Sequence, residues 1–354
     1  MAAVDLREHW FLGGVEIPAR LVLAPMAGVS VQAFRRQGRR YGAGLVCSEM
    51  VSVAGIQHRN ERTLGYLRVA ADEHPLAIQI FGSEPAAMAE AARLVEAAGA
   101  DIVDMNFGCP VRKVTKTGAG ASLLDDADLA CRLVEAVAGA TSLPVSVKMR
   151  RGVENGSRRC LELAPRLVEA GASSLTLHPR SARQMYTGTA DHAVTAELVS
   201  LVDVPVIASG DIGSRARAQA VLATTGAAAV MVGRAAQGNP WALREIMGDE
   251  REPAREEVVA ELVLFMRETV RELGERRATG FLKKFYGWYL GRGRFPRPLK
   301  QELVLLPTVQ DVERRLLAEA PGARFVLERL LDELPDPGDE VLLDSLPISL
   351  YGGG

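Results

Sequence analysis

The sequence of 354 residues has no long apolar segment and no excess of charge of one sign. Its longest uncharged stretch, residues 218–233, includes Gln219, Thr224 and Thr225 and is too short and too polar to cross a bilayer. Lysine and arginine total 42 against 44 aspartate and glutamate, a net charge of −2, which excludes a uniformly polybasic protein. No apolar core follows basic residues at the start, so we predict no secretory signal and a cytoplasmic location.

Metal and dinucleotide motifs are also missing. The four cysteines contain no Cys-x-x-Cys pair, and the five histidines show no metal-ligand spacing. No Gly-x-Gly-x-x-Gly follows an apolar run, and there is no Walker loop. We therefore predict reduced thiols and no metal site, and a Rossmann dinucleotide fold is not indicated.

A short pattern occurs four times along the chain: a helical stretch, a Gly-Ala pair and then an apolar run. The pairs begin at Gly42, Gly99, Gly171 and Gly226. Glycine at this place is typical of the left-handed residue that ends a helix. Four further apolar runs alternate with these, at 21–25, 75–81, 144–149 and 205–209. Short apolar runs without alternating polarity predict strands that are covered on both faces.

Eight such strands alternating with helices predict an α/β fold, a (β/α)8 TIM barrel, whose usual size is roughly 250 residues. An open doubly wound sheet is the alternative, although it would normally break the alternation at an edge. After Trp241 the sequence becomes charged and helical, which predicts a smaller C-terminal all-helical domain. The predicted division is a barrel domain at 1–250, a helical domain at 251–331 and a flexible tail at 332–354.

In a TIM barrel, functional groups lie at the C-terminal ends of the strands, and this sequence has polar residues there. Gly210 follows strand seven, and Gly233 with Arg234 follows strand eight, where barrels commonly bind a phosphate. This favours a phosphorylated cofactor or substrate, while glycines that only shape turns are the alternative. Lys148 within a strand should need an anionic partner, and a structural salt bridge to Asp104 or Glu49 is its alternative role.

Segment 276–300 combines basic and aromatic residues. It has eight basic residues, no acidic residue, and six of the 18 aromatic residues of the chain. Cations for phosphates beside rings for stacking favour an RNA-binding face, and aromatics that pack inward beneath solvated charges are the alternative. The residues that we predict to bind RNA are Lys283, Lys284, Arg292 and Arg294 of this region, with Lys113, Lys116, Arg180 and Arg183 on the loops after strands four and six.

Seven segments at the strand ends resemble one known family. They are Leu-Ala-Pro-Met-Ala-Gly at 23–28, Ser-Glu-Met at 48–50, Gln-Ile-Phe-Gly at 79–82, Asp-Met-Asn-Phe-Gly-Cys-Pro at 104–110, Val-Lys-Met-Arg at 147–150, Gly-Asp-Ile at 210–212 and Gly-Arg at 233–234. The chain resembles the bacterial tRNA-dihydrouridine synthases from about residue 14 to residue 300, most of all the DusB branch. The most specific part is the Asn-x-Gly-Cys-Pro motif at 106–110.

The resemblance implies an oxidoreductase that uses FMN and NADPH, or NADH, to reduce specific uridines in tRNA to 5,6-dihydrouridine. It implies a hydride from flavin N5 to uracil C6 and a proton from Cys109 to C5, with Asn106 orienting the uracil or the flavin. A thiol suits this role because its reference pKa of about 8.5 leaves it protonated at neutral pH. The implied FMN-binding residues are Pro25, Met26, Ala27, Gln79, Lys148, His178, Ser209, Gly210, Asp211, Gly233 and Arg234.

Two other functions stay open at this stage. One is an FMN-dependent oxidoreductase of free pyrimidines, similar to dihydroorotate or dihydropyrimidine dehydrogenases, although a small substrate needs no surface like segment 276–300. The other is a tRNA-binding folding helper in which catalysis is secondary. The partners that we expect are tRNA and NADPH, with no membrane and no metal, and we expect a monomer.

Overall fold

The computed structural model describes residues 4–335. Its strands in chain order are β1 (Trp10–Leu12), β2 (Val15–Ile17), β3 (Leu21–Leu23), β4 (Leu45–Cys47), β5 (Val51–Ser52), β6 (Leu76–Phe81), β7 (Ile102–Phe107), β8 (Val145–Arg150), β9 (Ser174–His178), β10 (Val206–Ser209) and β11 (Ala229–Val232). The eight strands predicted from the sequence are β3, β4 and β6 to β11.

These eight strands form one closed parallel barrel. Each pairs with its neighbour in chain order, β11 pairs with β3, and β4 pairs with β6, so the sheet has no open edge among them. The short β5 adds a further pairing with β6. The predicted TIM barrel is confirmed. The alternative of an open doubly wound sheet is wrong, because its first and last strands would be unpaired edge strands, whereas β3 and β11 pair with each other.

A hairpin of β1 and β2 closes the N-terminal end of the barrel, and the sequence analysis did not predict it. Gly13 and Gly14 connect the two strands with positive φ angles of 53° and 93°, which suit a tight hairpin turn. Trp10, Leu12 and Ile17 pack in one cluster with side chains of the barrel interior. The hairpin therefore covers the end opposite to the strand ends that bear polar residues.

Helices surround the barrel in the order that the sequence pattern predicts. They are α1 (Gln32–Arg40), α2 (Val53–Gln57), α3 (Glu61–Gly65), α4 (Pro85–Ala97), α5 (Arg112–Thr115), α6 (Ala127–Ala138), α7 (Arg159–Glu169), α8 (His192–Leu201), α9 (Arg215–Thr225) and α10 (Trp241–Met247). The four repeated glycines have φ angles of 98°, 87°, 110° and 71° in chain order. Their left-handed conformation explains why the repeat marks each turn from helix to strand.

The C-terminal region of the described chain is helical, as predicted. It consists of α11 (Arg255–Leu273), α12 (Glu275–Arg292), α13 (Arg297–Leu305), α14 (Val309–Glu319) and α15 (Ala323–Asp332). The division into domains at 250 and 331 stays a prediction. Of the predicted tail, residues 336–354 lie outside the described residues, while Asp332 is the last residue of α15.

Buried ion pairs hold α11 against α1. Arg40 lies 2.9 Å from Glu261, and Arg36 lies 2.9 Å from Glu268, two turns further along α11. Glu272, at the end of the same face, accepts hydrogen bonds from the backbone N–H groups of Gln32 at the start of α1 and of the next residue. A carboxylate at a helix N-terminus is favourable because that end carries partial positive charge. These contacts fix the helical region beside the first helix of the barrel.

Residues 4–335 contain no helix with the length and apolarity needed to cross a bilayer. The same residues contain no cluster of three or more histidine, cysteine, aspartate or glutamate side chains arranged to bind a metal ion. All four cysteines are free thiols.

Candidate active site

Adjacent strands bring the polar residues of the C-terminal barrel end together inside the barrel. In the pairing register, Gln79 lies beside Asp104 and Asn106 lies beside Lys148. Because side chains alternate between the two faces of a strand, residues two apart on β7, such as Asp104 and Asn106, point to the same side. The polar residues predicted at the strand ends therefore lie close to one another in the fold.

A chain of hydrogen bonds runs from the barrel interior to Cys109. Gln79 donates from Nε2 to Asp104 Oδ2 at 2.5 Å and accepts at Oε1 from Asn106 Nδ2 at 2.7 Å. Asn106 Oδ1 then accepts from the backbone N–H groups of Cys109 and Gly108, at 2.8 and 3.1 Å. Asn106 thus holds the loop that places Cys109. Gln79 is fully buried beneath the cavity and does not line it.

The far end of this chain is a buried carboxyl group. Burial raises the pKa of Asp104 to about 6, although hydrogen bonds from Ser146 and Gln79 oppose the shift. Ser146 Oγ donates to Asp104 Oδ1 at 2.5 Å. With both carboxyl oxygens bonded, Asp104 fixes the orientation of the Gln79 amide and so that of Asn106.

Cys109 faces a cavity of about 910 Å³ at the barrel mouth. Burial is the main influence on this thiol and raises its pKa above the ordinary value, against the charges of Arg150 and Lys148. The group is therefore protonated at neutral pH. The same cavity is lined by Pro25, Met26, Ala27, Asn106, Lys148, His178 and Arg234.

Lys148 stands in this cavity without an ion-pair partner among residues 4–335. Burial, with the charge of Arg150 nearby, lowers the pKa of Lys148 to about 8. The two carboxylates considered from the sequence bond elsewhere: Asp104 to Ser146 and Gln79, and Glu49 to the backbone N–H of Gly28 at 2.7 Å. The structural salt bridge is therefore not formed, and the ammonium group is directed at the cavity.

A smaller cavity of about 270 Å³ adjoins the first at the ends of β10 and β11. Pro25, Met26, Lys148, His178 and Arg234 line both cavities, while Ser209, Gly210, Asp211 and Gly233 line only the smaller one. Burial and the Lys148 charge lower the pKa of His178 to about 2, so its ring is neutral. The predicted cofactor residues other than Gln79 therefore border one continuous space.

Gly210 has no room for a side chain. Its φ is +114°, and a Cβ atom would lie 2.9 Å from the His178 ring and from Ala190. His192 Nε2 is 2.9 Å from the Gly210 carbonyl oxygen, so the ring donates a hydrogen bond there. Only glycine fits at this position, and residues 210 and 211 line the smaller cavity.

Asp211 is balanced by two arginines. Arg180 Nη2 donates to Asp211 Oδ2 at 2.8 Å, and Arg234 lies 3.5 Å from the other carboxyl oxygen. Burial raises the pKa of Asp211, but the hydrogen bonds from Arg180 and the Ala190 amide outweigh it and leave the pKa below its ordinary value. Arg180 is itself buried and also donates to the carbonyl oxygens of Thr187 and Gly188.

The family profile described as dihydrouridine synthase (Dus) matches residues 22–320. The chain belongs to the dihydrouridine synthase family. The tRNA-dihydrouridine synthase B of Pseudomonas aeruginosa is 39% identical over 287 residues, which are 79% of this chain and 86% of that protein. A probable tRNA-dihydrouridine synthase of Rhodobacter capsulatus is 39% identical over 306 residues, 83% of this chain and 92% of that protein. The predicted family and the interpretation as an enzyme are confirmed.

Two solved structures share the fold of this dihydrouridine synthase family member. Histamine dehydrogenase from Rhizobium sp. 4-9 has a TM-score of 0.57 at 12% identity and covers 74% of this chain and 51% of its own. Morphinone reductase has a TM-score of 0.51 at 16% identity and covers 69% and 90%. At these identities the likeness concerns the barrel fold alone.

The predicted RNA-binding residues do not all lie on the surface of this family member. Six of the eight are exposed: Lys113, Lys116, Arg183, Lys283, Lys284 and Arg294. The other two, Arg180 and Arg292, are less accessible and are paired with acidic residues, and the RNA-binding role of the whole set stays a prediction. Arg180 is buried against Asp211, and Arg292 pairs with Glu245 and Glu252 at the base of the helical region. Neither guanidinium is part of an open basic surface.

The aromatic rings of segment 276–300 mostly pack inward. Four of the six rings are buried, those of Phe285, Tyr286, Tyr289 and Phe295. Trp288 is 37% exposed. Tyr289 also donates to Gln37 on α1 at 2.9 Å. The alternative of rings inside and charges outside therefore describes this segment, and stacking is left to Trp288 and the partly buried Phe281.

Sequence reasoning missed Tyr186 and Arg150 as residues of the site. Tyr186, on the loop after β9, is 53% exposed, and its ring centroid lies 4.6 Å from the Arg234 guanidinium and 5.5 Å from that of Arg150. Arg150 donates to the carbonyl oxygens of Gly108, beside Cys109, and Met185. Arg150 could have been found from its place two residues after Lys148, whereas nothing local distinguishes Tyr186.

Proposed function

We propose that this enzyme reduces uridines in tRNA to 5,6-dihydrouridine with FMN as its cofactor and NADPH, or NADH, as reductant. The observation that carries the proposal is the place of the Cys109 thiol, whose pKa is raised by burial, in a cavity that also contains Lys148, which has no ion-pair partner among residues 4–335. A proton donor and a cation at one concave site suit the reduction of a conjugated double bond. The names of the 39% identical relatives support tRNA as the substrate.

The residues at the barrel mouth fit FMN. Lys148 offers a cation without an internal anion among residues 4–335 and would bind the polar edge of the flavin ring, while Pro25, Met26 and Ala27 form a lip of the same cavity. Gly210 can be no other residue, because Ala190 and His178 leave no room for Cβ, and its bare backbone lines the smaller cavity. The residues that would hold the ribityl chain and phosphate are His178, Ser209, Gly210, Asp211, Gly233 and Arg234. When bound, the reduced flavin supplies the hydride for uracil C6.

The chain itself supplies the proton and its position. Cys109 Sγ holds the proton for uracil C5, because burial keeps this thiol in its neutral form. The Asn106 side chain donates from its amide nitrogen to Gln79 and accepts at its amide oxygen from the 108–109 backbone, so its role is to hold the Cys109 loop. Gln79 acts through Asn106 rather than by contact with the flavin edge.

The raised pKa of Cys109 predicts the direction of a pH effect. Since the protonated thiol is the useful form, dihydrouridine formation should persist above the ordinary thiol pKa and fall as pH rises through the higher value. The check is the pH dependence of alkylation of Cys109 by iodoacetamide, followed by peptide mass spectrometry. The control is the same peptide in urea-unfolded protein. Identical midpoints in native and unfolded protein would contradict the prediction.

The exposed basic residues should bind the tRNA backbone. Lys283 is exposed and makes no hydrogen bond or ion pair with residues 4–335, so Lys283→Met should remove one phosphate contact. We expect the slope of log affinity against log salt to decrease by about 1. Arg292→Met is the matched control, because that charge is already paired with Glu245 and Glu252. A slope that is unchanged in the Lys283 variant removes this residue from the interface.

The deciding experiment is an assay of purified protein for a flavin absorption band and for NADPH-dependent dihydrouridine formation. The substrates are tRNA that lacks modified uridines, free uridine and uracil. Yellow protein that acts only on tRNA supports the proposal. Action on the free base would instead indicate an oxidoreductase of free pyrimidines, and colourless protein that binds tRNA would indicate the folding helper.

A further inference from the structure

Two adjacent lysines of α12 have different surroundings. Lys283 points to solvent, whereas the Lys284 ammonium group donates a hydrogen bond to the carbonyl oxygen of Gly28. The ammonium also lies 4.2 Å from the centroid of the Phe281 ring and 5.4 Å from that of Phe285. This arrangement combines a charge-assisted hydrogen bond with cation–π contacts, which together favour one position of the side chain.

Gly28 lies inside the turn that follows the lip, where the N–H groups of Val29 and Ser30 donate to the carbonyl oxygen of Met26. The N–H group of Gly28 donates to Glu49 Oε2 at 2.7 Å, so Gly28 is held on one side by the segment after β4 and on the other by α12. Its φ is +73°, a conformation that a residue with a side chain rarely adopts. Within the same turn, Ser30 Oγ accepts from the Met26 N–H at 2.9 Å and donates to the Ala24 carbonyl at 3.0 Å.

The held turn lies on a boundary between two cavities. Gly28 and Glu49 line the barrel-mouth cavity and also a different cavity of about 980 Å³, which lies between α3 and α12. Of these two cavities, Lys284 lines only the one between α3 and α12. The ammonium therefore reaches from the helical region to the edge of the space that the proposed cofactor would occupy.

We propose that Lys284 is a positioning residue that, with Glu49, clamps the backbone of Gly28, Lys284 at its carbonyl oxygen and Glu49 at its N–H group, and so sets the Pro25–Ala27 lip for the flavin. This proposal rests on the proposed function, and it separates Lys284 from the RNA-binding set in which the sequence placed it. The helical region then has two tasks in one turn of α12: Lys283 meets the RNA backbone, and Lys284 shapes the cofactor site.

The test compares Lys284→Met with Lys283→Met in the full-length protein stripped of flavin. FMN binding is followed by quenching of flavin fluorescence, and the absorption band of bound flavin is recorded. Loss of a charge-assisted hydrogen bond to the lip should weaken FMN affinity about tenfold and shift the band in the Lys284 variant. The Lys283 variant should bind FMN as the wild type does, while its tRNA affinity falls.

Two more variants protect this test from a trivial result. Lys284→Arg retains a cationic donor and should restore most of the FMN affinity. Lys284→Gln replaces the methionine variant if that variant does not fold, and the same outcomes apply to it. Wild type that binds no FMN overturns the proposed function together with the clamp. Wild type that binds FMN, with a Lys284→Met or Lys284→Gln variant of equal affinity and unchanged band, overturns the clamp alone.

Discussion

Cys109→Ala should lower dihydrouridine formation by about 10²- to 10⁴-fold, the usual contribution of a positioned general acid. The variant should still bind FMN and oxidise NADPH, because the hydride step from reductant to cofactor needs no proton from this thiol. Burial keeps the Cys109 thiol neutral, and Asn106 holds its backbone at the cavity. The measurement is single-turnover reduction of tRNA uridine, with NADPH oxidation followed separately.

Cys131→Ala is the matched control for this result. Cys131 is a free thiol on α6 and does not line the barrel-mouth cavities, so its removal should leave both half-reactions unchanged. Full product formation by the Cys109 variant would take this thiol out of the mechanism. A parallel loss of NADPH oxidation would mean instead that the substitution had damaged the flavin site.

Arg180→Met should weaken FMN binding about a hundredfold. A like charge placed beside a bound anion typically costs several kcal/mol of binding free energy, and about 3 kcal/mol corresponds to about two powers of ten in affinity. Here that charge is Asp211, which lies in the smaller cavity where the phosphate is proposed to bind and which would keep only its longer contact with Arg234. Without the hydrogen bond from Arg180, this carboxylate would repel the phosphate. The check is the FMN dissociation constant of the stripped protein.

Arg183→Met separates this effect from a general loss of positive charge. Arg183 lies three residues further along the same loop, is exposed, and pairs with Glu154 at 2.8 Å on the surface. The Arg183→Met variant should bind FMN with the affinity of the wild type. If both variants bind FMN equally well, Asp211 does not need Arg180 and the smaller cavity is not the phosphate site.

The barrel could be predicted because its signals are local. Each Gly-Ala repeat requires one left-handed residue at a helix end, and each buried parallel strand is a short apolar run, so both leave marks within a few residues. The hairpin of β1 and β2 left a weaker mark. Its strands have three residues each, and Trp10 and Ile17 are apolar because they pack under the barrel, a contact with residues far along the chain.

The candidate site was predictable for the same reason, but only in its composition. Asn106, Cys109, Lys148 and His178 stand at or near strand ends, and parallel strands bring those ends to one side. That Gln79 is buried below the cavity depends on its two hydrogen bonds to β7, which the sequence does not state. The partner of each polar group is a property of packing.

By itself, the sequence determined the closed barrel, the helical C-terminal region, the family and the end of the barrel where the polar residues meet, because these follow from local patterns and from residue types at strand ends. Only the tertiary structure decided which charges are free. Arg180 is paired with Asp211, 31 residues away, and Lys284 bonds to Gly28, 256 residues away. Two basic residues look alike in a sequence, and what each can bind depends on the groups that folding brings beside it.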